Sequence, residues 1–439
     1  MNTTKLRRLL ADLLRVNGRY LRDDVYRNTI RERLNNVGVG SHAIEAREVK
    51  RSPRAARPFR GLVETSLALS GIDRSGGGRH VNIVLGEVRE GGAFAGIQTA
   101  VAVGVALASE LGLPVRVVMV SWTTPGNSSK AAAAVLRERF PGVSFEVVAR
   151  EEILRASFGE QDVWLATHWK TAHAIDVAAT SGVIDRARVG YLVQDFEPGF
   201  SPWSTEFALA RATYHAGFRL LVNSAPLQQY LAREEGVEVP DDATFSPHFD
   251  LDLLRRVAEE RSHDATTRVL FYGRPSKHRN LFRIGVSALQ IAVDRLEGSG
   301  LTLEFASAGE VHRDVDLGHG QKLESVGTLP WDDYFRFIAS RNVVLSLQLS
   351  PHPSHPPFDG AISGAQVVTN EFADTRSALH PNIDAVAADP VSLGEAVARA
   401  VRRAAADGPT GYRDLAPGAL GGSLDDAVAH LARQLQESA

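Results

Sequence analysis

Residues 269–280 read VLFYGRPSKHRN, a pattern typical of a strand that turns tightly into a helix. The β-formers of 269–272 precede a Gly-Arg-Pro turn, and a helical pattern follows over about residues 280–297. Such junctions in α/β proteins bind phosphorylated ligands, because the first helical amides are free and the helix dipole favours an anion. Gly273 is the only glycine of the turn, so arginines must supply most of the grip on phosphate oxygens. We therefore predict a diphosphate clamp formed by Arg274 and Arg279.

Strand and helix patterns alternate on both sides of this turn. The first series of predicted strands covers residues 81–86, 115–121, 144–148, 163–167, 189–194 and 220–223. A second series covers residues 268–272, 301–306, 322–325, 343–347 and 366–369. Alternation with helices predicts parallel βαβ units, and hence an α/β protein with two Rossmann-like, doubly wound domains. A ligand cleft is expected between the domains, at the carboxyl ends of both sheets.

The predicted domain limits follow from breaks in this alternation. Residues 1–60 form a basic helical extension and linker, 61–245 the first domain and 246–422 the second, and a last helix over 423–439 packs back on the first domain. The extension carries about 15 Lys and Arg against about 6 Asp and Glu. It is expected to contact an anionic membrane surface or an acidic partner. The alternative is a solvated, arginine-rich helical extension.

Composition excludes several classes of protein. The 439 residues are 44% hydrophobic and 23% charged, values typical of a globular protein long enough for more than one core. A net charge of −3 argues against a general nucleic-acid binder, and the absence of cysteine excludes disulfides and thiolate metal sites. No apolar run approaches the ~20 residues of a transmembrane helix. We expect a cytoplasmic protein, with peripheral contact at the inner face of the cell membrane through residues 1–60.

Candidate site residues follow several predicted strands of the first series. They are Gly91 and Gly92, His168, and the acceptor-side group Gln194, Asp195 and Glu197. Two glycines let a backbone approach a substrate closely, although a plain turn is equally consistent with them. His168 is a candidate donor to a sugar hydroxyl or a phosphate, with a backbone-satisfied neutral histidine as the alternative. Carboxylates beside aromatic rings suit carbohydrate, because carboxylates accept from hydroxyls and rings stack on sugar faces.

A proline-rich stretch in the second series is the other dense candidate. Residues 350–357 contain four prolines and lead into a short helix of small residues. Asp359, near the expected start of that helix, is a candidate acceptor for a ribose hydroxyl, and the amides of Gly360 and Ala361 are candidates to hold phosphate. Asp359 is also simply a favourable acid at a helix start. No cluster of carboxylates and histidines completes a metal site, so no metal or other cofactor is expected.

These segments together resemble the GT-B glycosyltransferases of family 4. The shared segments are the Gly-Arg turn with its second cation five residues on, residues 326–329 (VGTL), the helix over 331–340, and residues 363–368 (SGAQVV). More narrowly, the chain is similar to rhamnosyltransferases that build bacterial S-layer and cell-wall glycans. That similarity lies in residues 194–198 (QDFEP), 271–275 (FYGRP) and 350–354 (SPHPS).

The resemblance implies a nucleotide-sugar donor held mainly by the second domain, and a glycan or lipid-linked glycan as acceptor. Arg274 and Arg279 would neutralise the leaving diphosphate without a metal, and His168 would contact the donor sugar. The backbone of Gly273 would lie at the phosphate site. Gly327, Thr328 and Leu329 would read the base, while Gly91 and Gly92 would approach the donor or acceptor. Such enzymes retain the anomeric configuration, so no dedicated catalytic base is expected.

One departure from the family pattern bears on the donor. Two glutamates eight positions apart usually precede the small-residue helix, and here Pro351 and Asp359 stand in their places. A deoxyribonucleotide donor has one ribose hydroxyl fewer and would need less of the second carboxylate. The resulting hypothesis is a retaining transferase that moves L-rhamnose from dTDP-L-rhamnose to a bacterial surface or cell-wall glycan. The alternatives are a nucleotide-sugar epimerase of the same fold and a non-catalytic, nucleotide-sugar-binding assembly subunit.

Overall fold

The computed structural model describes residues 65–89, 95–124, 126–261, 263–352, 354–376 and 379–437. Gly91, Gly92 and the basic extension of residues 1–60 lie outside these ranges, so the predictions made for them remain predictions.

The first domain contains nine of the strands in the described part of the chain. They are β1 (Asp73–Gly76), β2 (Val81–Leu85), β3 (Val115–Met119), β4 (Phe145–Val148), β5 (Ser157–Gly159), β6 (Val163–Ala166), β7 (Val189–Val193), β8 (Arg219–Asn223) and β9 (Thr244–Phe245). Seven of them form one parallel sheet in the order β4-β3-β2-β6-β7-β8-β9, and β1 pairs separately with β5. Strands β2, β3, β6 and β7 are buried along their whole length, because helices cover both faces of the sheet.

Five helices connect these strands. They are α1 (Ala95–Leu111), α2 (Ser129–Arg139), α3 (Trp169–Thr180), α4 (Thr205–Tyr214) and α5 (Ala225–Tyr230). Shorter helical turns cover Arg186–Arg188, Glu197–Phe200, Leu231–Glu235 and Asp241–Ala243. The expected helices over residues 95–111 and 128–140 therefore form nearly as predicted.

The second domain repeats this architecture. Its strands are β10 (Thr266–Gly273), β11 (Thr302–Gly309), β12 (Val315–Gly318), β13 (Gln321–Gly327), β14 (Val343–Leu345), β15 (Gln366–Asn370) and β16 (Ile383–Val386). Its helices are α6 (Leu251–Glu260), α7 (Phe282–Leu296), α8 (Trp331–Ala339), α9 (His355–Ile362) and α10 (Pro390–Asp407), with a helical turn at His278–Asn280. The sheet order is β12-β13-β11-β10-β14-β15-β16, with β12 the antiparallel edge strand.

The last helix, α11 (Leu424–Glu437), lies on the first domain although it follows the second in sequence. Its apolar face, which includes Leu431 and Leu435, is fully buried in the core that contains Ile83 and Leu107. Burying such a stripe is what stabilises an amphipathic helix of this length. No helix of the described residues is long and apolar enough to cross a membrane.

The predicted fold class, two Rossmann-like, doubly wound domains, is confirmed. In each sheet the strand order reverses beside the first long strand, between β2 and β6 in one domain and between β10 and β14 in the other. Ligands of doubly wound sheets bind outside the carboxyl ends of the strands at this reversal. The two reversals therefore define where a candidate site should be sought.

Candidate functional site

The turn after β10 is tied to the end of the neighbouring strand β11. The Ser276 amide and hydroxyl both donate to the carboxylate of Glu310, at 2.9 and 2.6 Å. Arg274 Nε lies 3.7 Å from Glu310 Oε1, and 30% of the arginine side chain is exposed. A guanidinium has five donors, so this ion pair leaves Arg274 with N–H groups for a further anion.

Gly273 is required by close packing at this turn. A Cβ atom at Gly273 would lie 2.4 Å from Ser307 Oγ and 3.0 Å from the Phe282 ring. Any other side chain would therefore displace the first residue of α7 or the buried hydroxyl beneath it. This is a packing role, and it lets the strand pass directly into the arginine-bearing turn.

Arg279 reaches across to the first domain. Its Nη1 lies 3.0 Å from Asp195 Oδ2, and its guanidinium carbon lies 4.2 Å from the centre of the Phe200 ring. The Arg279 carbonyl accepts from the Leu349 amide at 2.7 Å, which ties the turn to the loop after β14. The two predicted clamp residues thus have different carboxylate partners: Glu310 in the same domain and Asp195 in the other.

Asp195 lies at the junction of the two domains. The carboxylate is buried, and its Oδ1 accepts from the Phe196 amide and from the hydroxyl of Ser350 in the second domain. Its side chain therefore joins the two domains through Arg279 and Ser350. Its place on the acceptor side stays a prediction. The neighbouring Gln194 donates from Nε2 to the carbonyl of Gly96 at 3.0 Å, at the start of α1.

His168 caps helix α3 at the end of β6. Its Nδ1 accepts from the Lys170 amide at 3.2 Å, which assigns the proton of the neutral ring to Nε2. Although 38% of its side chain is exposed, burial of the ring and the charge of Lys170 lower the pKa of His168 to about 4. His168 is therefore neutral near pH 7 and bonded to the backbone through Nδ1, which agrees with the alternative expected for it; its contact to a sugar stays a prediction.

Glu197 is buried beside the start of helix α3. Its side chain is 4% exposed, and its carboxyl group accepts from the Trp169 amide and from the Tyr191 hydroxyl, the latter at 3.4 Å. Burial raises the pKa of Glu197 to about 8, so the carboxyl group is mostly protonated at neutral pH. The prediction that Glu197 presents a carboxylate to an acceptor is wrong, because the group is enclosed and uncharged.

Three adjacent strands of the second domain end on glycine at the same edge. Gly273, Gly309 and Gly327 close β10, β11 and β13, and the Thr328 hydroxyl donates to the Gly309 carbonyl at 2.8 Å. Gly327 has φ 71°, and a Cβ there would lie 2.8 Å from Val311 Cγ2. Only glycine adopts that conformation without strain. This glycine edge of Gly273, Gly309 and Gly327 packs the strand ends closely together beside Arg274, since a Cβ at Gly309 would lie 3.0 Å from Arg274 Cγ.

Helix α9 begins earlier than the sequence suggested. Its first residue is His355, so Asp359, Gly360 and Ala361 lie in its second turn, where amides already bond within the helix. Gly360 and Ala361 are buried against β14 and β15, and a Cβ at Gly360 would lie 3.0 Å from Val344 Cγ2. The prediction that their amides hold phosphate is wrong.

Asp359 is enclosed next to the helix that follows Leu329. It accepts from the Tyr334 hydroxyl at 3.0 Å, and burial raises its pKa to about 7. Leu329 packs in the same apolar cluster as Tyr334. Asp359 therefore lies near the residues 327–329 that were predicted to read the base.

Two further residues hold the loop between β14 and α9, and the sequence pattern did not single them out. Buried Arg376 donates to the carbonyls of Ser350 at 2.7 Å and Asn370 at 2.7 Å, and also to that of Gln348. His352 lies 2.8 Å, through Nδ1, from the carbonyl of Asn223 in the first domain. Arg376 follows β15 without a motif, so nothing in the sequence marked it. Among the described residues, no group of three or more His, Asp or Glu side chains is placed to hold a metal ion.

Comparisons with known proteins give matches in both domains. Residues 80–222 match the family model described as WsaF, N-terminal domain, and residues 267–398 match WsaF, C-terminal domain. The O-antigen biosynthesis protein RfbC of Myxococcus xanthus is 30% identical over 233 residues, which are 53% of this chain. The matched region spans only 17% of the length of that relative.

Solved structures with a similar arrangement share little sequence with this chain. Sucrose-phosphate synthase from Thermosynechococcus elongatus is 13% identical, with a TM-score of 0.49 over 81% of this chain and 94% of that one. Anabaena Alr3699/HepE in complex with UDP and glucose is 12% identical, with a TM-score of 0.47 over 82% and 94%.

Proposed function

We propose that this chain is a glycosyltransferase of bacterial surface-glycan synthesis, because its motifs resemble those of GT-B glycosyltransferases and the models of both WsaF domains match it in tandem. The 30% identical relative is named for O-antigen biosynthesis, which favours the same process. The observation that carries the proposal is the turn after β10. It places Arg274 and Arg279 beside the glycine edge, at the strand ends where a doubly wound domain binds its ligand.

The donor in this proposal is a nucleotide-diphosphate sugar bound by the second domain. Arg274 and Arg279 contact the diphosphate, and the backbone of Gly327, Thr328 and Leu329 contacts the base. Asp359, predicted to accept from a ribose hydroxyl, is enclosed and accepts from the Tyr334 hydroxyl instead, so the proposal gives it no direct contact with the donor. We propose dTDP-L-rhamnose as the donor, on the resemblance of residues 271–275 and 350–354 to rhamnosyltransferases.

In the proposed reaction, the bond between the sugar and the diphosphate breaks while the acceptor hydroxyl forms the new bond on the same face and passes its proton to the departing diphosphate oxygen. Negative charge develops on the departing diphosphate, and two fixed guanidinium groups stabilise it in the transition state. Arg279 exchanges its partner from Asp195 to a phosphate oxygen when the donor binds. The arginines supply the positive charge, so the proposal includes no metal ion or other cofactor.

The proposed compartment is the cytoplasm, with residues 1–60 docking on the inner face of the cell membrane. Their excess of Lys and Arg suits an anionic lipid surface, and a lipid-linked acceptor would be presented there. Co-sedimentation of the full chain with anionic and with neutral liposomes tests this; equal binding to both would refute an electrostatic contact.

A nucleotide panel followed by product analysis tests the function. We expect dTDP to raise the melting temperature more than UDP or GDP, because a ligand that binds only the folded state stabilises it. Labelled sugar should then pass from dTDP-L-rhamnose to a rhamnose-containing glycan, and NMR of the product should show retained anomeric configuration. A new epimer formed without acceptor would instead identify an epimerase. Tight dTDP binding with no transfer to any glycan would identify a binding subunit.

A further inference from the structure

Trp203 combines two unfavourable features at one position. Its side chain is 91% exposed, and its backbone has φ 55°, in the left-handed region that bulky residues avoid. A ring left in water contributes almost no burial energy to folding, and the strained backbone disfavours it. Among the described residues, no other large hydrophobic side chain reaches this exposure. A residue kept under these conditions is a candidate for contact with something outside the chain.

Trp203 belongs to an aromatic strip of Phe200, Trp203 and Phe207. The Trp203 ring stacks on Phe207 of α4, with ring centres 5.5 Å apart and planes at 24°. Phe200 is 41% exposed and carries the Arg279 guanidinium over its ring. Three residues of chain span at most ~11 Å, so Trp203 lies close to Phe200. The strip therefore includes Phe200, which contacts Arg279 at the junction, and Trp203, which stacks on α4.

We propose that Phe200 and Trp203 bind the acceptor glycan by stacking on two of its sugar rings. A pyranose presents C–H groups on at least one face, and the electron-rich face of an aromatic ring attracts them. The Phe200 end lies beside Arg279, which holds the donor diphosphate in the proposed function, so a glycan along the strip points its terminal hydroxyl at the transferred sugar. This assignment rests on that function and names the acceptor class as a neutral glycan of pyranose rings.

The charges around the strip favour a glycan over a lipid surface. Residues 195–210 contain neither Lys nor Arg, whereas segments that dock on anionic membranes are rich in both, and the exposed acid of this segment is Glu206. A neutral sugar carries no charge to be repelled and offers hydroxyl groups to an exposed carboxylate such as Glu206. Insertion of Trp203 into a membrane is therefore the competing outcome that the experiment must separate.

Saturation-transfer NMR of the full chain tests the strip without requiring catalysis. The probes are the methyl glycosides of L-rhamnose, D-glucose, D-galactose and D-mannose. Wild type and Trp203→Phe should transfer saturation to the C–H protons of at least one probe, and Trp203→Ala should lose most of that signal. Trp122→Ala is the matched control, because Trp122 is also half-exposed on the first domain but lies under Arg150.

Three outcomes would overturn the assignment. The first is the same saturation transfer in Trp203→Ala as in wild type, and the second is no transfer in wild type. The third is that Trp203→Ala loses liposome binding while sugar binding is unchanged. In the transferase assay, the acceptor KM of Trp203→Ala should rise about tenfold while the donor KM stays constant. Sugar binding that depends on Trp203 in a chain without transferase activity would refute the proposed function and leave the stacking site intact.

Discussion

Glu197 shows how one buried side chain sets the character of the site. Its carboxyl group receives a hydrogen bond from the Trp169 amide and lies 4.0 Å, through Oε1, from His168 Nε2. Because burial keeps Glu197 protonated and His168 neutral at pH 7, this pair of side chains carries no net charge.

The raised pKa of Glu197 predicts a loss of stability as the pH rises. The folded protein holds a proton that the unfolded chain releases near pH 4.5, so the free energy of unfolding falls between about pH 4.5 and 8. The raised pKa of Glu197 contributes at most about 5 kcal/mol to the free energy of unfolding. The variant Glu197→Gln keeps an oxygen for the Trp169 amide and cannot ionise. Between pH 5 and 9, the free energy of unfolding should therefore decrease in wild type by about 2–5 kcal/mol more than in the variant.

Urea unfolding of both proteins across this pH range measures the difference. Asp359, whose pKa is also raised by burial, contributes equally to both and cancels. In a second variant, Asp359→Asn, the part of the pH-dependent loss of stability that comes from Asp359 should disappear. Parallel stability curves for wild type and Glu197→Gln would show that the Glu197 carboxyl group is not held protonated by the fold.

At the scale of elements, the sequence predicted long features well and short ones poorly. Helix α1 and the strands beside each reversal have strong apolar patterns, and they form close to their predicted limits. Strands β1, β5, β9, β12 and β16 have four residues or fewer and were not predicted, because so few positions hold little periodicity. The start of α9 was misplaced because Pro356 and Pro357 were read as loop residues, whereas proline is well suited to the first helical turn.

The same limit explains which site residues could be predicted. Arg274 and Arg279 follow a strand and a turn, which are local signals. Asp195 was recognised as a residue at a strand end, but its partners Arg279 and Ser350 are 84 and 155 residues away in sequence. A pairing over such a distance depends on how the domains meet, and no local pattern contains it.

The loop between β14 and α9 should depend on Arg376. Arg376→Ala would leave the buried carbonyls of Ser350 and Asn370 without their charged donor, at a cost of about 3 kcal/mol in the free energy of unfolding. The control Arg399→Ala removes an arginine that is 51% exposed and bonded to Asp384, and should change stability by less than about 1 kcal/mol. Urea unfolding measures both. Equal effects of the two substitutions would contradict the role assigned to Arg376.

At the scale of the whole molecule, the two domains meet through polar contacts at the candidate site. Arg279 and Ser350 contact Asp195, His352 contacts Asn223, and Arg233 donates to the Ala373 carbonyl at 2.7 Å. Polar junctions of this kind are readily exchanged for contacts with a ligand. Donor binding and the relative position of the domains are therefore coupled through Arg279 in the proposed reaction.

Calorimetric titration with dTDP and dTMP tests the diphosphate site most directly, in wild type, Arg279→Ala and the control Arg295→Ala. Arg295 is an exposed arginine paired with Glu395, on the far end of α7. Arg279→Ala also loses its contact with Asp195, and that loss affects the binding of both nucleotides. Comparing dTDP with dTMP within each protein therefore cancels it. Wild type and Arg295→Ala should bind dTDP at least about tenfold more tightly than dTMP, and Arg279→Ala should lose most of that difference. Equal affinity of wild type for both nucleotides, or an undiminished difference in Arg279→Ala, would contradict the account.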